Sequence, residues 1–187
     1  MKKIITQEEK DRKNKRNQII VGVTLVSLII LSSLGYAIMS RSEDTTILKE
    51  KYAGLTFQNI NGYWTTFVAQ KQLYFNKLPE EVLNVSIEGQ YSATDYAGQT
   101  IYLVNSNPAT VTLTDFLSTL ALRIQEACLE GQECINSELP VKTCEDNMFV
   151  FKESNETKVY KTQNCVFIEG NHYDAVDRLI YKIYGIA

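Results

Sequence analysis

Four cysteines, a single histidine and a few clustered carboxylates are the side chains here with the means for covalent, metal or acid–base chemistry. The cysteines stand at 128, 134, 144 and 165, so no neighbouring pair has the C-x-x-C spacing of a redox centre or a zinc knuckle. A tetrahedral zinc site would draw its ligands across long irregular gaps, with His172 as the one imidazole donor. An even cysteine count suits two disulfides where the compartment is oxidising, and four cysteines allow three connectivities.

His172 has Asp174 and Asp177 close by and serines elsewhere, the residue types of a hydrolytic triad. A triad also needs a nucleophile on a recognisable turn, and no G-x-S-x-G elbow occurs. A loop histidine before a helix is ordinarily a solvated or capping residue. Glu80-Glu81 resembles a glycosidase dyad in composition, but directly after Pro79 it reads as a helix start or a solvated turn. The chain has neither a Gly-rich phosphate loop nor an H-E-x-x-H pair. No catalytic, cofactor-binding or metal residue is assigned, and no cofactor is expected. Trp64 and the outer tyrosines suit a ligand groove or, equally, the core side of a half-buried sheet. Asn84-Val85-Ser86 and Asn155-Glu156-Thr157 are glycosylation sequons, making Asn84 and Asn155 candidate acceptors.

The elements that hold these residues begin with residues 19–39, an uncharged run from Ile19 to Met39. As a helix these 21 residues span about 30 Å, the thickness of a bilayer's hydrocarbon core. The run exceeds the h-region of a cleavable signal, about 7–15 residues, so we read an uncleaved anchor, with a signal ending near Gly35-Tyr36-Ala37 as the rival and a buried core helix as a further alternative. Residues 1–18 carry seven basic and three acidic side chains, net +4, which places the N-terminus in the cytoplasm and the C-terminal part outside. Residues 40–187 carry twelve basic and nineteen acidic side chains, net −7, which argues against a nucleic-acid partner. All four cysteines fall on this outer side.

The expected organisation is a basic cytoplasmic tail (1–18), a transmembrane helix (19–39), a polar stalk (40–50) and one extracytoplasmic domain (51–187). Residues 63–69 are rich in aromatic and β-branched side chains and predict a strand, with residues 72–75 as its hairpin partner. Strands are also predicted over 85–91 and 100–104. Phe116, Leu117, Leu120, Ala121, Ile124, Ala127 and Cys128 recur at helical spacing, predicting a helix from Thr112 or Thr114 to Gly131. Residues 149–151 and 159–160 predict a hairpin turning at Ser154-Asn155, in which Val150 faces Val159 and Cys144 faces Cys165. That register favours Cys144 with Cys165 and leaves Cys128 with Cys134. Residues 165–170 read as a buried strand. Tyr173, Val176, Ile180, Ile183 and Tyr184 predict an amphipathic terminal helix. The fold class expected is α+β, an antiparallel sheet with two packed helices.

The anchor, Leu78-Pro79 after a strand, the spaced cysteines and the ending from Asp177 through Tyr184 to Ile186 resemble a group of uncharacterised single-pass archaeal membrane proteins. The resemblance implies a cysteine-containing extracytoplasmic domain and no activity. The leading functional expectation is a non-catalytic interaction or envelope-associated module, held in the bilayer by Ile19 to Met39 and facing an unidentified envelope or surface protein. It predicts an exposed apolar or aromatic patch. The alternatives are a membrane-anchored hydrolase, which predicts a cleft joining His172 to carboxylates or a serine, and a pilin-like subunit. Arg16-Asn17-Gln18 offers no small residue for pilin processing.

Overall fold

Two runs of the sequence, 148–151 and 165–168, are apolar at every position, so they call for burial on both faces of a sheet. In the computed structural model, which describes residues 7–39, 48–68, 70–134 and 136–187, these runs lie side by side inside a six-stranded sheet. The chain divides into two units, Met1–Thr46 and Ile47–Ala187.

The first unit contains helix α1 (Gln7–Met39). Its stretch Asn14–Ser32 is long and apolar enough to cross a membrane by length and composition. Apolar side chains along it, among them Ile19, Val23 and Leu28, are exposed, unlike those of a core helix. Most of the expected stalk lies outside the described residues.

The second unit opens with strands β1 (Lys49–Tyr52), β2 (Leu55–Ile60), β3 (Tyr63–Val68) and β4 (Lys71–Phe75), an antiparallel meander in chain order. Asn61-Gly62 joins β2 to β3 with φ of 53° and 88°, the left-handed pair a tight hairpin requires. Phe57, Leu73 and Phe75 point into the core. Pro79–Val82 forms a short 3-10 turn, followed by β5 (Ser86–Glu88) and β6 (Thr100–Val104). Helix α2 (Thr110–Leu117) leads to β7 (Arg123–Glu126), and β8 (Cys128–Leu129) pairs with β9 (Val141–Lys142). The chain ends with β10 (Met148–Lys152), β11 (Lys158–Thr162), β12 (Cys165–Glu169) and α3 (His172–Ile183).

The six-stranded sheet has the order β5-β11-β12-β10-β6-β7. Strands β12, β10, β6 and β7 run parallel, while β11 is antiparallel to β12. One face buries Phe149, Phe151, Val166 and Ile168 against α2, α3 and the inner face of the meander. Phe75 stacks on Tyr181 of α3 at 4.2 Å between ring centroids, joining meander to helix. The other face holds a smaller cluster of Val104, Leu129, Met148, Val150, Cys165 and Phe167.

The α+β class, an antiparallel sheet and two helices in the second unit agree with the sequence reading, as do β3, β4, β6, β12 and α3. Three expectations are corrected. The second sheet is mainly parallel. The helix expected to reach Gly131 stops at Leu117: Gly98 N donates to Leu120 O and Leu122 N to Gln99 O, turning the chain into β7 beside β6. Thus Leu117 and Ile124 both reach the core, one from a helix and the other from a strand. The expected hairpin of 149–151 with 159–160 does not form, because β12 lies between β10 and β11. The reason is burial: β10 and β12 are apolar throughout, whereas only Val159 is buried in β11, which suits a position nearer the edge.

Candidate functional site

The C-terminal ends of neighbouring parallel strands are where open α/β sheets form binding crevices, because the connections diverge there. Here β6 is followed by Asn105-Ser106-Asn107, and β10 ends on Lys152 and is followed by Glu153. Asn105 adopts a left-handed φ of 58°, a conformation asparagine tolerates well, and its Nδ2 donates to Phe151 O at 3.3 Å. An open cleft of about 630 Å3 lies there, with Ser106, Gln132 and His172 among its lining residues.

His172 opens α3, and both its ring nitrogens are engaged. Nε2 donates to Lys152 O at 2.9 Å, and Nδ1 accepts from Asn107 Nδ2 at 3.2 Å, roles consistent with Asn107 Oδ1 accepting from Ala109 N at 2.9 Å. Its ring also meets Phe151 edge-on at 5.4 Å. Among the described residues it has no hydrogen bond to a carboxylate or a serine. Asp174 turns to the helix start, where its Oδ2 accepts from Asn171 Nδ2 at 3.0 Å. The arrangement locks the start of α3 to the end of β10; it does not ready a base beside a nucleophile.

Asp177 is the unexpected residue. It is wholly buried, and its Oδ2 accepts from Asn76 N at 2.7 Å and Lys77 N at 2.8 Å, just beyond the end of β4. Tyr181, one turn on, donates its hydroxyl to Lys77 O at 2.7 Å. Asp177 Oδ1 and Asn76 Nδ2 lack hydrogen-bond partners. Loss of solvation raises the Asp177 carboxyl to about 7, opposed by the backbone N–H groups of Lys77 and Asn76. Asp177 therefore acts as a latch between α3 and the meander. Its position had a signal in the sequence: 177 lies four after Tyr173 and three before Ile180, on the apolar stripe itself.

Glu80 and Glu81 form no dyad across a cleft. Glu81 Oε2 accepts from Leu78 N at 2.8 Å and its Oε1 lies 3.4 Å from Lys77 Nζ, so it caps the 3-10 turn. Trp64 packs against the core from the inner face of the meander. Asn84 and Asn155 are exposed, but the Thr157 hydroxyl of the second sequon accepts from Asn171 N at 3.0 Å.

The cysteines lie in two pairs at bonding distance: Cys128 with Cys134, Cα atoms 5.5 Å apart, and Cys144 with Cys165, 5.0 Å apart. The second pair is not brought together by the register from which it was expected. Asn164 N donates to Cys144 O at 3.0 Å, and Met148 N donates to Asn164 O at 3.1 Å, bringing residue 144 to the start of β12. Cys144 and Cys165 lie in or against the smaller cluster of the six-stranded sheet, to which β8 contributes Leu129.

The outer face of the meander differs in kind. Strand alternation puts Ile60, Tyr63, Phe67 and Tyr74 outward, 40, 50, 64 and 45 % exposed. The register makes them neighbours: Ile60 faces Tyr63, while Tyr74 faces Thr65 between Tyr63 and Phe67. Comparison with family models, curated proteins and solved structures finds no match for this chain.

Proposed function

We propose that this chain is a single-pass membrane protein with its N-terminus in the cytoplasm, holding an extracytoplasmic α+β domain that serves as a non-catalytic, envelope-associated interaction module. The resemblance to single-pass archaeal membrane proteins belongs to the same proposal. The carrying observation is the continuous outer face formed by Ile60, Tyr63, Phe67 and Tyr74, apolar surface that a free-standing domain gains nothing by exposing. The apolar stretch of α1 and the paired cysteines are compatible with the anchor and the oxidising compartment. The engaged nitrogens of His172 favour a structural role for that residue over hydrolysis.

The test is photo-cross-linking in native membranes from benzoylphenylalanine placed at Phe67 and, as a control, at exposed Leu122. A module using this face gives an adduct, to protein or to lipid, from position 67 and not from 122. Equal labelling at the two positions, or a hydrolytic activity abolished by His172→Ala with the fold intact, would overturn the reading.

A further inference from the structure

We infer that the occupant of the meander's outer face is the surface of the membrane that carries the chain, bound through its lipid headgroups. The inference rests on the anchored reading above and names the component with which that module interacts.

Charge is the first argument. Residues 48–78, which contain the whole meander, carry four lysines and one glutamate, net +3. Residues 79–187 carry seven basic and sixteen acidic side chains, net −9. On the outer face the charged side chains of the four strands are Lys49 and Lys51, which the register places beside Gln58 and Thr56. Glu50, the one acidic residue of these strands, alternates to the opposite face. An anionic lipid surface therefore attracts this face and repels the remainder of the domain, which orients it.

Side-chain chemistry is the second argument. Exposed Phe67, Tyr63 and Tyr74 supply apolar rings, two of them bearing a polar hydroxyl, the make-up of the aromatic side chains enriched at membrane interfaces.

The test uses the full chain reconstituted in vesicles of phosphatidylcholine and phosphatidylglycerol brominated on their acyl chains. Trp64→Phe removes the native indole, and Phe67→Trp or Tyr74→Trp supplies a reporter on the face, with Leu122→Trp as the control away from it. Retention of the native melting temperature establishes the fold of each variant. The expected result is quenching several-fold stronger at 67 and 74 than at 122, weakened when phosphatidylglycerol is omitted and by Lys49→Glu with Lys51→Glu. Equal quenching at the three positions, in a chain that resists alkaline carbonate, would overturn the lipid contact while leaving the anchor in place. Release by carbonate would instead refute the anchor and, with it, this inference. Reporters insensitive to bromine, in a chain that runs as a dimer in detergent, would assign the face to a second copy and also overturn the lipid contact.

Discussion

The two larger sheets of the second unit solve the problem of burial in opposite ways. The four-stranded meander pairs each strand with its sequence neighbour and buries one face, leaving aromatic side chains outside. The six-stranded sheet interleaves strands distant in the chain and buries its centre on both faces, with α2, α3 and the meander on one side and a disulfide-bordered segment on the other. A sheet built from local hairpins needs little besides its turns, whereas one assembled from distant strands has to offset larger loop-closure entropy. Cys144–Cys165 ties the segment before β10 to the start of β12, a central strand of the six-stranded sheet.

The contrast sets the order of expected effects. Phe75→Ala removes the ring that stacks on Tyr181 at the joint between the meander and α3 and should cost about 4 kcal/mol in chemical denaturation. A much smaller loss would mean that the meander contributes little to the common core. Breaking Cys144–Cys165 by paired alanine substitution should cost about 3 kcal/mol, and breaking Cys128–Cys134, which closes a much shorter loop, about 2 kcal/mol. Reversal of that order would remove the special role given to the longer bridge.

Asp177 sharpens the comparison through pH. Its folded-state pKa of about 7 lies above the ordinary 3.8, so folding takes up a proton between those values. Its contribution is fully favourable below about pH 4 and is lost as pH rises through 7. Relative to Asp177→Asn, the wild type should lose about 2 kcal/mol of stability between pH 5 and pH 7, measured by denaturation at each pH. Parallel pH curves would show that the carboxyl is ionised throughout. The smallest effect belongs to the exposed face: Phe67→Ser should change stability by less than about 0.5 kcal/mol while reducing association with phosphatidylglycerol vesicles.

What the sequence discloses follows the same division. The β3–β4 hairpin and α3 have local causes, strand-forming side chains in one case and 3.6-residue spacing in the other, and both are legible. The β2–β3 turn is also written locally, in Asn61-Gly62. The order of the six-stranded sheet is not local. The apolar runs 148–151 and 165–168 announce central strands, yet nothing within either says that they lie side by side in parallel. Helical periodicity through 116–128 misleads because the same apolar residues serve a short helix and then a strand. For the candidate site, His172 is visible as a helix-start residue, but its partners Asn107 and Lys152 come from distant segments. Asp177 could be placed on the buried stripe by counting, although its partners at Asn76 and Lys77 lie about a hundred residues away.

Anchored, outward presentation is decided by protease treatment of intact cells expressing the chain with a tag after Ala187, followed by alkaline carbonate washing of the membranes. The expected result is removal of the tag, with an N-terminal fragment containing residues 19–39 left in the washed membranes. A tag protected until the cells are broken, or a chain released by carbonate, would contradict the account.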